Sequence, residues 1–290
     1  MNYTIKNDRL AVTISSRGAE MQSVIYQGQE YLWQGDPAYW TDHSPLLFPF
    51  LGRFTDGHYT LHGKQYDMNI HGFANCSEFS VKELSDTALT LEMTDTPDTM
   101  KIYPFHFILS VTYALVDNQI SISYQVENLS DGTMYFGIGG HPGFQVPLDE
   151  GLSFTDYYLE FAAPHTPARV GHTPTCFLSG IDTDFPLEGG TKLSLAHNMF
   201  DDDAIVLKNV ADSVTLKSDK GTHAVTVSYP KLPYLGLWHA PKTEAPYICI
   251  EPWSSLPSRQ DIIEDFQYKC DMVRLDADGI YKNSWSITLQ

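Results

Sequence analysis

The 290-residue sequence contains no apolar run of the roughly 18 residues needed to cross a bilayer, and its start, MNYTIKNDRLAVTI, lacks the basic and then apolar pattern of a secretory signal. A soluble, cytoplasmic protein with no membrane partner is expected. Cysteine is scarce: Cys76, Cys176, Cys249 and Cys270 are far apart and form no CxxC pair, so neither a zinc knuckle nor a dithiol redox motif is indicated. Reduced thiols, no metal and no cofactor are the plain expectation. Positive charge is also short, with 18 Lys and Arg against 36 Asp and Glu, a net charge of −18. Such a surface repels a phosphate backbone, which excludes nucleic acid and anionic membranes as ready partners. A neutral ligand is not penalised. No low-complexity segment or fixed-period repeat occurs, and long helical periodicity is hard to find.

Apolar residues are plentiful. Hydrophobic side chains make up 42% and aromatics 13% of the composition, enough for a sizeable core. All-β folds often reach this length undivided, so one domain over residues 1–290 is expected. Alternation at period two is clearest from Ile108 to Asn128, where Leu109, Val111, Tyr113 and Leu115 share a face, Asp117 and Asn118 supply a turn, and Ile120, Ile122, Tyr124 and Val126 resume the alternation. That pattern predicts a hairpin. Two more are predicted, turning at His62 and Gly63 and around Asp219 to Gly221. One short helical piece is expected near SRQDIIEDFQY, with Ser258 as N-cap. The stretch from Pro164 to Gly190 reads as loops over the sheets. The fold class is mainly β, a large antiparallel β-sandwich with its ligand on one concave face.

Four places put polar groups where a strand protein ordinarily places core or turn residues. In YICIEPW, Tyr247, Cys249 and Glu251 fall on one face and Ile248 and Ile250 on the other, so Glu251 closes a buried strand. Burial raises a carboxyl pKa and a nearby cation lowers it, a combination that tunes a general base. Pro252 is expected to end ladder pairing and aim the carboxylate into a cleft; the alternative is a strand-end glutamate in water. In GIGGHPGF, glycines and a proline flank His141, a backbone able to turn sharply and approach a ligand closely. Imidazole titrates near neutrality and serves as a proton donor, whereas a turn histidine bonded to local carbonyls is the plainer role. His71, before Gly72 and Phe73, carries the same two readings. Arg53 follows LFPFLG and is expected at a strand end, free to donate to hydroxyls or a carboxylate; a surface salt bridge is the alternative. Asp203 ends an acidic run against the apolar Ala204 to Leu207 and is the best placed of the three acids to bind hydroxyls. Trp238 and Trp253 offer sugar-stacking faces, unless they are core.

These motifs, taken in order along nearly the whole chain, resemble the aldose 1-epimerase (galactose mutarotase) family, in particular its LacX-like branch. The resemblance rests on SPLLFPFLGRFTDGHYTLHGKQY, HGFANCSEF, GGHPGF, DDAIVLK and ICIEPW. It implies a galactose mutarotase-like β-supersandwich with a monosaccharide as substrate. It also implies Glu251 as general base at the anomeric hydroxyl, His141 as general acid at the ring oxygen, and Arg53, His71 and Asp203 as holders of sugar hydroxyls. One departure is that LacX-like proteins often carry an arginine and an aspartate after HGFA, where this chain has Asn75 and Cys76. Other readings remain open at this level: a metal hydrolase using His71, His141 and Glu251, a glycosidase using Glu251 and Asp203, a hexose-phosphate 1-epimerase, and a non-catalytic sugar-binding or sensing protein. A homodimer is neither indicated nor excluded.

Overall fold

The computed structural model describes residues 1–290 and is built almost wholly of antiparallel strands. A nine-stranded sheet runs in the order Lys192–Ser194, Tyr158–Phe161, Ser213–Lys217, Val225–Ser228, Ile280–Leu289, Gln119–Asn128, Phe107–Val116, Ala88–Thr94, Ser80–Leu84. An eight-stranded sheet runs in the order Thr183–Asp184, Ala168–Arg169, Ile205–Lys208, Tyr234–Trp238, Tyr247–Trp253, Gly139–Gly140, Leu46–Leu47, and Gly143–Gln145 also pairs with Tyr247–Trp253. Asn2–Lys6, Leu10–Ser15, Met21–Tyr26 and Gln29–Glu30 form a four-stranded sheet. A core cluster extending from Ile5 to Leu289 joins residues of all three. No helix is long and apolar enough to cross a membrane.

The predicted hairpins form. Val116 pairs with Gln119, so the turn holds only Asp117 and Asn118, and Asp117 takes the left-handed φ of 52° that tight hairpins favour. The His58–Leu61 and Lys64–Asp67 strands turn at His62 and Gly63, both with positive φ. Ser213–Lys217 pairs with Val225–Ser228 around Asp219 to Gly221. The Pro164 to Gly190 stretch is mostly irregular, but contributes the edge strand Thr183–Asp184 and its neighbour Ala168–Arg169 to the eight-stranded sheet.

Three local expectations are overturned. No helix forms over SRQDIIEDFQY. The Ser258 hydroxyl is buried and donates to the Arg259 and Ile262 carbonyls, Arg259 and Asp265 bridge to Leu178 and Thr60, and Phe266 stacks on Tyr59. Tertiary partners claim the backbone groups that a helix would have paired with each other. Pro252 does not end its strand either. It pairs with Leu235, and its missing donor falls between two bonds that hold the strand on either side, Ile250 N–H to Pro142 O at 3.2 Å and Ser254 N–H to Ile138 O at 3.0 Å. The glycines around His141 make no left-handed turn. A Cβ on Gly140 would stand 2.6 Å from the Trp285 ring and one on Gly143 3.0 Å from the Trp40 ring, so these residues admit aromatic neighbours, not a ligand.

Candidate active site

The Tyr247–Trp253 strand is buried along its whole length. Ile248 and Ile250 enter the main core, while Tyr247 and Cys249 pack into a smaller cluster with Trp33, Ala240 and Ala245. Glu251 continues the second face beyond that cluster and reaches a cavity of about 380 Å³, within the range of small-molecule sites. All six residues singled out from the sequence line it: Arg53, His71, His141, Asp203, Trp238 and Glu251. They arrive from six separate stretches of chain. Gly139–Gly140 and Gly143–Gln145 both pair with the Tyr247–Trp253 strand, which sets His141 beside Glu251, and His141 N–H is fixed to Pro45 O at 3.0 Å.

His141 Nε2 lies 3.3 Å from Glu251 Oε2, with both side chains buried. This is close approach without hydrogen-bond geometry, because Glu251 Oε2 is left without a partner, as is His141 Nδ1. Two strongly polar atoms are thus buried without a hydrogen-bond partner, a costly arrangement. Burial, and then the Asp203 carboxylate, push the Glu251 carboxyl well above the usual range; the nearby Trp253 N–H opposes them, although it too lacks hydrogen-bond geometry. Burial, and then the neighbouring His71, press the His141 pKa down to about 3. Both partners are driven toward their neutral forms, in which the pair holds one proton.

His71 stands edge-on to His141, ring centroids 5.7 Å apart. Its Nδ1 accepts the Gly52 N–H at 3.1 Å, which assigns the ring proton to Nε2 and makes that nitrogen a donor. Burial, and then the Arg53 charge, lower its pKa to about 4, with Asp203 opposing. The turn is held by Gly72, whose φ is 80° and whose Cβ, if present, would lie 2.2 Å from Phe48 O. Asp203 Oδ1 accepts the Ala204 N–H at 2.9 Å and Oδ2 accepts the Cys176 thiol at 2.8 Å. Asp202 also lines the cavity, although of the acidic run the sequence singles out only Asp203. Trp238 meets His141 edge-on at 5.7 Å.

Sequence reasoning missed Trp40, His172 and Asp42, which also line the cavity. Trp40 is the most consequential, since its ring lies over the His141 imidazole with centroids 5.0 Å apart and planes 34° from parallel. The one available signal was a tryptophan in the polar, proline-bearing stretch DPAYWTDHSP.

Comparison with known proteins finds relatives that cover the whole chain. The family model described as aldose 1-epimerase matches residues 1–264. Protein LacX (chromosomal) of Lactococcus lactis subsp. lactis is 32% identical over 301 aligned residues, covering 100% of this chain and 99% of its own. A galactose mutarotase related enzyme from Lactobacillus acidophilus superposes with a TM-score of 0.95 at 35% identity, covering 100% of this chain and 97% of that one. A galactose mutarotase-like protein from Lactobacillus casei gives 0.95 at 34% identity with full coverage of both chains.

Proposed function

The chain belongs to the aldose 1-epimerase family, and from that premise we propose that it interconverts the α and β anomers of an unphosphorylated monosaccharide, with Glu251 and His141 as the acid–base pair. The observation that carries this reading is the approach of an unpartnered carboxyl to an unpartnered imidazole in one cavity. Opening a cyclic hemiacetal requires one proton to leave O1 and one to reach the ring oxygen. Both oxygens are bonded to C1, so adjacent acid and base groups serve them together.

The proton inventory balances. Transfer of the shared proton from Glu251 to His141 gives carboxylate and imidazolium. The carboxylate takes the O1 proton as the C1–O1 double bond forms, the bond from C1 to the ring oxygen breaks, and the imidazolium protonates the departing ring oxygen. The pair is then neutral, the form that burial favours, so the open-chain sugar is held beside a stable pair. Rotation about C1–C2 and the reverse transfers deliver the other anomer. Each group contributes about 10² to 10⁴ in rate. Trp40, lying on His141, stabilises the imidazolium by its ring face. The Nε2–H of His71, the Asp203 carboxylate and the Arg53 guanidinium hold sugar hydroxyls, and Trp238 offers an apolar face. Arg53 is the only Lys or Arg in the lining, against Asp42, Asp202 and Asp203, a balance that favours a neutral sugar over a sugar phosphate.

Exchange NMR on the anomeric protons of several free aldoses and one hexose 6-phosphate tests the assignment. Wild type is expected to accelerate exchange of at least one free aldose. Glu251→Gln and His141→Asn are expected to lose most of that acceleration while sugar binding largely survives. Equal exchange in all three proteins removes the assigned roles, and binding without exchange in wild type leaves a sugar-binding protein.

A further inference from the structure

We infer that His141, Cys249 and Glu251 form a binding site for a thiophilic divalent cation of the zinc class, and that filling it silences the acid–base pair. One donor atom from each residue lies within 4.8 Å of the other two, and all three residues are buried. The register explains the cluster. Cys249 and Glu251 are two apart on one strand and share a face, and Gly143 pairs with Cys249, bringing the His141 segment alongside.

The distances nearly fit a metal already. With zinc–nitrogen and zinc–oxygen bonds near 2.0 to 2.1 Å, the edge of a tetrahedral site between those atoms is about 3.3 Å. The His141 Nε2 to Glu251 Oε2 separation is 3.3 Å. The longer zinc–sulfur bond gives edges of about 3.6 Å, so the thiol has to close by only about 1 Å. Glu251 Oε2 and His141 Nδ1 have no competing partner.

Charge and ligand type select the ion. Carboxylate, thiolate and neutral imidazole together carry two negative charges, which a divalent cation cancels where all three groups are buried. Magnesium and calcium require six or more oxygen ligands, which this trio does not offer, whereas thiolate with imidazole suits zinc. Three protein ligands leave the fourth position open toward the cavity, where water or a sugar hydroxyl fits. The other ring nitrogen of His141 lacks the carboxylate or carbonyl that tight zinc sites supply, so binding is weaker by about 10- to 100-fold than at a site with that partner, and reversible. A bound cation takes the place of the shared proton, and with it the acid and the base. Cys249, which has no part in proton transfer, thereby acquires a role. Inhibition rests on the anomer-exchange reading; binding does not.

The test uses the full chain stripped with EDTA. Zinc uptake is measured by competition with a chromophoric chelator, cobalt(II) uptake by its thiolate charge-transfer absorption, and anomer exchange with and without zinc. Wild type is expected to bind one equivalent, to show the cobalt–thiolate band, and to lose exchange reversibly. Cys249→Ser and Cys249→Ala are expected to keep exchange within about twofold, lose the band, and need about tenfold or more zinc for the same inhibition. Absence of zinc uptake by wild type, a cobalt spectrum without the thiolate band, or an unchanged zinc response in both variants overturns the site. A thiolate band in a protein that never exchanges anomers keeps the metal site and removes the mutarotase reading; exchange without the band does the reverse.

Discussion

Glu251 and Glu264 are almost equally buried, at 1% and 3% exposure, yet they do opposite things. Glu264 receives Arg259 Nε at 2.9 Å, Nη2 at 3.1 Å and the Arg259 backbone N–H at 3.2 Å, and its pKa is lowered because these bonds outweigh its burial. Glu251 has no such fork, and burial drives its pKa up. The histidines repeat the contrast. His239 is fully buried, but its Nδ1–H donates to Ala240 O at 2.9 Å and its Nε2 accepts from His197 at 3.2 Å. His141 keeps an unpartnered nitrogen at a cavity wall. Burial is common to all four residues; the missing partner marks the two in the cavity.

Exchanging the glutamates one at a time breaks this comparison most directly. Glu251→Gln is expected to lower anomer exchange by about 10² to 10⁴ and, below pH 4.5 where the carboxyl is neutral both folded and unfolded, to change stability by no more than about 1 kcal/mol, since a neutral isostere replaces it. Glu264→Gln is expected to leave exchange within about twofold and to cost about 1–3 kcal/mol in denaturant unfolding, the lower part of that range because Arg259 is half-exposed. Loss of exchange in Glu264→Gln with full stability in both variants defeats the comparison.

A smaller effect lies in the pH dependence of those stabilities, where the signs oppose. The folded pKa of Glu264 is lowered from 4.5, so its contribution is complete above that value and is lost as pH falls through the folded pKa. The difference between wild type and Glu264→Gln therefore shrinks below pH 4.5. The folded pKa of Glu251 is raised from 4.5, so its contribution is complete below that value and is lost as pH rises toward the folded pKa. Glu251→Gln therefore gains on wild type above pH 4.5. For His141, lowered from 6.5 to about 3, stability is lost as pH falls between those values, and His141→Asn is expected to flatten that limb. Urea titrations at several pH values measure all three; parallel curves remove the assigned protonation states.

The mildest probe is Arg53→Met, which removes the cation and leaves the pair intact. KM for the preferred sugar is expected to rise about tenfold, about 1.4 kcal/mol, with little change in kcat. A large fall in kcat instead draws Arg53 into the chemistry.

Much of this was legible from the chain. The hairpins at Asp117–Asn118 and His62–Gly63 follow from alternation and turn chemistry, which act over a few residues, and Arg53, His71, His141, Asp203 and Glu251 stood out as polar groups beside apolar or glycine-rich segments. Errors arose where distant partners decide. Ser258 reads as a helix cap until Leu178, Thr60 and the aromatic cluster around Phe266 take the segment, and Pro252 reads as a strand end until bonds from Ile250 and Ser254 carry the strand past it. Trp40 lay in a loop with no periodicity to show which way it faced.

By itself the sequence determined a strand-rich protein, its tight turns, its surplus of negative charge and the side chains capable of acid–base work, because pleat, turn conformation and residue chemistry are local properties. Only the tertiary structure decided that Glu251 and His141 face each other unpartnered while Glu264 and His239 are satisfied. Glu264 and His239 find partners close by in the chain, at Arg259 and Ala240, whereas His141 and Glu251 meet across distant segments that bring them no partner, and no local pattern records that.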